Sequence, residues 1–370
     1  MGRVLLVGGF GQGNLGDEAK LDAFLHALDG SESVVTSSSP ADTERLHGCE
    51  SVATRERASV VRAASAADAV VFAGGTLFKL LHPSTGRPAL DLLMKAFGLA
   101  GGASALGRSV AMVGVGADAL ERRGASVLAN ALVRLAELVV VRDEVSASVL
   151  ADAGVPGPFR VGADVTWTRL PIAGSQAVRE DVVTVVVSHA AAGPDAGDVL
   201  VDALAQLVRD GLRIEFQPWQ VHPSAPGDLE LAHRAAGLIG SCATVVDPPV
   251  DLLAARTLFA QRRLVVGMRY HALIAAASAG TPFVSVRGEP KMAAIAGEFD
   301  QPVVTFDSPD LGPAVLGALD LPPPRTEVVR GRVEAAEESF RLMRLVLDAG
   351  RSSDAAELVG LPLEPSSWLG

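Results

Sequence analysis

The stretch that decides the fold is "LVVGMRYHALIAAASAGTPFVSV", residues 264–286. It opens as a β-branched run, turns at Gly267, and seats Arg269, Tyr270 and His271 at the head of a segment built of Ala, Leu, Ile and Ser. A second apolar run, "PFVSVRG", follows. Strand, turn, apolar helix and strand in succession read as one piece of a parallel sheet covered on both faces. A cation and an imidazole on the doorstep of so bland a helix need a reason. Within one turn of a strand end they lie near the N-terminal pole of the helix, which favours negative charge.

The same rhythm runs outward in both directions. "RVLLVG", "SVVTS", "AVVFAG", "SVAMVGVG" and "ELVVVRD" alternate with helix candidates at Asp17–Leu28, Pro88–Ala100 and Leu120–Ala136. The rhythm pauses over "TWTRLPIAGSQAVRED", residues 166–181, where Gly174 and Ser175 mark an expected hinge that closes around a bound ligand. It restarts with "VVTVVVSH", "RIEFQPW", "ATVVDPP" and "RLVVGM". This pattern predicts an α/β protein of two doubly wound, Rossmann-like domains facing a cleft, over residues 1–170 and 171–325. A long helix from Thr326 to Ala349 and a tail complete residues 326–370.

Composition narrows the partners. The 370 residues suit two domains of ordinary size, and 49% apolar content supports large cores. A formal net charge of −11 argues against nucleic acid or an anionic membrane, so an acidic ligand would need a local cluster of cations. Cys49 and Cys242 match no metal spacing and read as incidental thiols of a reduced, cytoplasmic protein. "MGRVLLVGGFGQG" lacks the apolar length and basic character of a signal peptide, and no stretch approaches the roughly 18 apolar residues of a membrane span.

Ligands of open parallel sheets bind beyond the carboxyl ends of the strands, so motifs at strand exits carry the weight. "GGFGQGNLGDE", residues 8–18, opens a helix after the first strand, and Gly11, Gly13 and Gly16 satisfy G-x-G-x-x-G. The loop is long for a dinucleotide site, and the second strand ends in Thr36 and Ser37 where an acidic ribose ligand would stand. A tight glycine turn, a dinucleotide site, and a loop in which Asn14 and Asp17 hold a polar ligand stay open. Asp17 could equally cap the helix. "FAGGTLFK" brings Gly75 and Thr76 to a second strand exit, and "LLHPSTGRP" adds a polar loop with His82 and Arg87, facing a ligand or solvent. Arg142 in "VVVRDEVSASVL" is either a guanidinium aimed into the cleft or a surface partner of Asp143 or Glu144. "EFQPWQVHPSAPGD" offers His222, and Trp219 as a stacking face for a sugar or as a core residue. Lys291 in "RGEPKMAAIAGEF" follows a further strand. Arg142, Arg269 and Lys291 together would suit a small polyanion, with His271 as acid–base group or hydrogen-bonded core residue. No metal site is expected.

"GNLGDEA", "GGTLF", "VRDEVSASVLADAGV", "GADVTW", "GMRYHALIAAASAGTPFVSV" and "EPK" span roughly residues 8–292. Together they resemble the polysaccharide pyruvyl transferase family. The resemblance implies a GT-B-like fold and transfer of pyruvate from phosphoenolpyruvate to sugar hydroxyls, as a ketal with release of phosphate. It implies that Arg269 and His271, with Arg142 and Lys291, bind this donor and carry the chemistry. The expected partners are phosphoenolpyruvate and a carbohydrate acceptor, without a further cofactor, and self-association into a homo-oligomer is left open. Two rivals stand beside this reading. One is a GT-B glycosyltransferase using a nucleotide sugar, for which the second half shows no convincing acidic ribose partners. The other is a non-catalytic binding protein of the same fold.

Overall fold

The computed structural model describes residues 2–155, 157–172, 179–189, 196–221, 227–286, 289–306 and 308–350. Gly174 and Ser175 of the expected hinge, and His222, lie outside them. The chain forms two compact units. Unit 1 takes the residues up to Gln12, Lys20–Thr168, and those from Gly331 onward; unit 2 takes Gly13–Ala19 and Arg169–Arg330.

The strands of unit 1 are β1 (Arg3–Phe10), β2 (Glu32–Ser37), β3 (Glu50–Ala53), β4 (Ala69–Ala73), β5 (Thr76–Phe78), β6 (Ser109–Ala117), β7 (Leu138–Val141) and β8 (Arg160–Val161). They lie in the order β3-β2-β1-β4-β6-β7-β8, with β5 added to β6 and all pairings parallel. The early helices are α1 (Leu15–Ala27), α2 (Pro40–His47), α3 (Arg57–Ala66), α4 (Asp91–Ala105), α5 (Arg123–Leu135) and α6 (Glu144–Asp152). Unit 2 carries β9 (Glu180–Val187), β10 (Arg213–Pro218), β11 (Ala243–Val245), β12 (Arg262–Gly267), β13 (Phe283–Val286) and β14 (Val303–Val304). Their order is β11-β10-β9-β12-β13-β14, again parallel throughout. The remaining helices are α7 (Ala196–Arg209), α8 (Gly227–Ile239), α9 (Leu252–Phe259), α10 (Tyr270–Ala279), α11 (Pro290–Glu298), α12 (Leu311–Gly317) and α13 (Thr326–Ala349). Each sheet starts in its middle and winds outward both ways, which is the Rossmann-like arrangement the rhythm predicts.

The burial explains the sequence. β9 reads "EDVVTVVV" and is buried from Val182 to Val187, as a parallel strand covered on both faces must be. In unit 1, Phe78, Leu93, Met112 and Leu132 pack in one core, while Leu6, Phe24, Val113, Phe340 and Met343 pack in another. α13 contributes to the second, its Phe340 ring meeting Phe24 edge-on at 5.1 Å. In unit 2, α10 is buried from Ala272 to Ala279, so the lack of a polar face over that stretch is that of a core helix. The sequence pattern passes over β3, β5, β8 and β14, of 4, 3, 2 and 2 residues. Among the described residues no helix is long and apolar enough to cross a membrane.

Phe340→Ala is expected to remove about 3–5 kcal/mol, the usual result of truncating a packed core ring. Urea unfolding should show a lower midpoint at unchanged slope. A loss below about 1 kcal/mol would mean that the Phe24–Phe340 contact does not hold α13 in place.

Candidate functional site

β10, β9 and β12 are neighbours in unit 2, so their carboxyl ends adjoin. What leaves those ends is Trp219 and Gln220 after β10, Ser188 and His189 after β9, and Met268 and Arg269 after β12. A carboxylate from the first turn of α8, that of the fully buried Asp228, ties these exits together. Its Oδ1 accepts the backbone N–H of His189 at 3.0 Å and lies 3.0 Å from that residue's Nδ1. Its Oδ2 accepts the backbone N–H of Gln220 at 3.0 Å and of Trp219 at 3.4 Å. The same oxygen takes Arg269 Nε at 3.0 Å and Nη2 at 2.5 Å. Arg269 also donates to the Val187 carbonyl at 3.3 Å and to Gln220 Oε1 at 3.2 Å. A buried charge persists only with partners of this quality.

The segment Gly13–Ala19 joins the same edge. Asn14 bridges antiparallel to Gln220, and the Leu15 N–H donates to the Trp219 carbonyl at 3.3 Å. Asn14 also organises the start of α1. Its carbonyl accepts from the N–H groups of Asp17 and Glu18, its Oδ1 accepts the Gly16 N–H at 3.1 Å, and its Nδ2 donates to Asp17 Oδ2 at 2.8 Å. Gly16 lies against His271: a Cβ there would stand 2.0 Å from Nδ1. The third glycine of the G-x-G-x-x-G pattern therefore admits an imidazole. His271 is half-buried, and its ring meets that of Tyr270 edge-on at 5.4 Å.

Of the residues singled out in the sequence, Asn14, Asp17, Arg269 and His271 thus share one edge of unit 2. Trp219 is beside them but is 2% exposed; it donates Nε1–H to Gln217 at 2.8 Å and stacks on Phe259 at 6.1 Å. The expected sugar platform is corrected: the ring is core, with its face against Phe259. Lys291, at the start of α11, pairs with Glu289 at 3.0 Å. In unit 1, Arg142 pairs with Asp143 at 2.8 Å, the partner foreseen for it, but the pair is buried rather than on the surface. Asp143 in turn caps α6 through the Ser146 N–H at 2.7 Å. Gly75 and Thr76 lie at the same strand ends, the Gly75 carbonyl accepting the Gly116 N–H at 2.7 Å while Gly116 abuts the Arg142 guanidinium. His82 and Arg87 are exposed. Arg87 donates to Asp91 at 2.7 Å, and Asp91 is held below the usual carboxylate range chiefly by the Lys95 hydrogen bond, with Arg87 adding to it. His189, Gln220 and Asp228 were not singled out in the sequence. The available signal was a histidine ending "VVVSH" just as one follows "VVGMRY", and an aspartate heading the helix after "PG".

The polysaccharide pyruvyl transferase family profile matches residues 6–290. No curated protein matches the chain. Among solved structures it is similar to the UDP-GlcNAc 2-epimerase from Methanocaldococcus jannaschii, with 13% identity, a TM-score of 0.62, and coverage of 93% of this chain and 100% of that one. It is similar to S. aureus MnaA solved with UDP, at 11% identity, a TM-score of 0.63, and 94% and 96% coverage. It is also similar to Anabaena HepE in complex with UDP and glucose, at 14% identity, a TM-score of 0.59, and 94% and 99% coverage. At such identities the likeness is one of fold, and the fold is GT-B-like, with two Rossmann-like units. These matches overturn the expected phosphoenolpyruvate donor, and with it pyruvyl transfer, ketal formation and a free carbohydrate acceptor. These three structures, each matched by nearly the whole chain, are named for UDP-GlcNAc or were solved with UDP. Arg142, Arg269 and Lys291, expected to converge on one small polyanion, each pair with a carboxylate, that of Asp143, Asp228 and Glu289 respectively.

Arg269→Ala leaves Asp228 buried without its cation and is expected to lower stability by about 3–5 kcal/mol. Lys291→Ala breaks a partly exposed pair and should change it by less than about 1 kcal/mol. Urea unfolding of both variants compares the two, and equal losses would deny the Arg269–Asp228 pair its structural role.

Proposed function

The chain belongs to the polysaccharide pyruvyl transferase family, and on that footing we propose that it is an enzyme acting on a nucleotide sugar, with a uridine diphosphate sugar as substrate. The observation that carries this reading is the likeness, over 93% or more of the chain, to proteins described as UDP-GlcNAc 2-epimerases or solved with UDP. Such a substrate makes two demands. Its diphosphate needs positive charge and N–H dipoles, and its sugar needs a group that moves a proton. The edge of unit 2 offers both. Arg269 immediately precedes α10, whose first turn points N–H groups outward, and Asp228 with Gln220 holds its guanidinium in one orientation. His271 stands in that same turn, against Gly16, as the proton-transfer group, and Asn14 and Asp17 are assigned to sugar hydroxyls.

The 2-epimerase likeness favours inversion of a sugar carbon over transfer of the sugar to an acceptor. A C–H bond beside the anomeric carbon is not acidic alone. Its proton leaves when the C–H electron pair can form a double bond to the anomeric carbon while the anomeric C–O bond breaks and its pair departs on the diphosphate. Arg269 and the head of α10 stabilise that charge, and reversal of the steps restores the substrate inverted at one carbon. The reading includes a cytoplasmic location, which suits a chain with only two cysteines, Cys49 and Cys242, far apart in sequence.

Thermal unfolding with UDP, UDP-GlcNAc or phosphoenolpyruvate tests the substrate class. A ligand at 100 times its Kd adds about 2.7 kcal/mol, so UDP and UDP-GlcNAc are expected to raise the Tm by several degrees. His271→Ala should keep this protection and lower UDP-sugar conversion, followed by proton NMR, about 100-fold or more. Protection by phosphoenolpyruvate alone would overturn the proposal.

A further inference from the structure

Inversion at a carbon takes a proton from one face and returns one to the other, which a single fixed imidazole does poorly. We propose that His189 is a second proton-transfer residue of this site, the base that removes the sugar proton, and that Asp228 is the residue that positions it. The inference rests on the nucleotide-sugar reading and goes beyond it by naming a catalytic pair.

The orientation of the ring is the first support. Asp228 has no exposed surface, and its Oδ1 is 3.0 Å from His189 Nδ1. An ionised carboxylate only accepts hydrogen bonds, so Nδ1 carries the hydrogen and the lone pair is on Nε2. The imidazole is 44% exposed while its Nδ1 edge is turned to a buried carboxylate, so the open edge is the one bearing Nε2. The same Oδ1 takes the His189 backbone N–H at 3.0 Å, fixing main chain and ring from one atom. Gly227 supports the ring from the head of α8, where a Cβ would stand 2.4 Å from Cγ and 2.6 Å from Cδ2. No other residue leaves room for the imidazole there.

Position is the second support. Val186 of β9 pairs with Gly267 of β12, so His189 and Arg269 leave adjacent strands about 4.8 Å apart. Asp228 binds both. The two imidazoles, His189 and His271, therefore come from neighbouring strand exits. His189 Nε2 accepts the proton as the C–H pair moves toward the anomeric carbon, and His271 is assigned to return one to the carbon that lost it. Exchange with water resets both rings, and no oxidant or reductant enters.

His189→Ala, at an exposed position, should fold normally, bind UDP within about twofold of wild type, and convert UDP-sugar about 100-fold more slowly. Free imidazole should restore part of the rate. Gly227→Ala, which displaces the ring without removing it, should lower kcat by about tenfold or more with UDP affinity kept. Nitrogen-15 NMR of the wild-type ring should report hydrogen on Nδ1. Conversion by His189→Ala within about threefold of wild type would overturn the proposal, as would lost UDP binding without imidazole rescue, or a ring protonated on Nε2 alone. A wild-type chain that neither binds UDP nor converts any UDP-sugar would instead remove the nucleotide-sugar reading, and this inference with it.

Discussion

The edge of unit 2 depends on one buried anion. Removing a carboxylate from water costs several kcal/mol after relaxation, and Asp228 recovers this only by filling its lone pairs with donors from the exits of β9, β10 and β12. The requirement works in reverse as well. Those exits must hold the positions that satisfy Asp228, so the guanidinium of Arg269 and the ring of His189 are aimed before any ligand arrives. Fixed dipoles and charges of this kind act without reorganising during a reaction, which makes such an edge suited to chemistry. The Asn14–Gln220 bridge and the Gly16–His271 contact attach the first turn of α1 to the same frame.

Much of the fold was legible because parallel strands buried on both faces are continuous β-branched runs, and "VVTVVV" or "LVVG" cannot easily be read otherwise. Short strands such as β8 and β14 were not, since pairing of 2 residues leaves no pattern. Periodicity also finds α13 without saying what it covers; its Phe340–Phe24 contact joins residues from opposite ends of the chain. The grouping of Gly13–Ala19 with unit 2 is hidden for the same reason, because hydrogen bonds to Trp219 and contact with His271 have no local trace.

The site divides along the same line. Arg269 and His271 stood out because charge at the head of an apolar helix is locally odd. Asp228 did not, because an aspartate at a helix start reads as a cap, and His189 reads as an ordinary strand terminator. Counting cations at strand exits also leaves out their counter-ions. The Arg142–Asp143 pair is adjacent in sequence and could be foreseen, whereas Arg269 and Asp228 are 41 positions apart. Paired in this way, each cation is held in one orientation by the carboxylate beside it.

The alanines of α10 act as a spacer gauge. From Ala272 to Ala279 the helix is buried and built mostly of the smallest chiral side chain, so its axis rests close to the layers around it. Any added methylene there must push something aside, and close-packed interiors transmit such strain rather than absorb it. The head of the helix would carry the displacement to Arg269 and His271. Variation along this segment is therefore limited less by the survival of the fold than by tolerance in the placement of its first turn. A lineage could drift freely in the exposed loops of this chain while these plain residues stay nearly immobile.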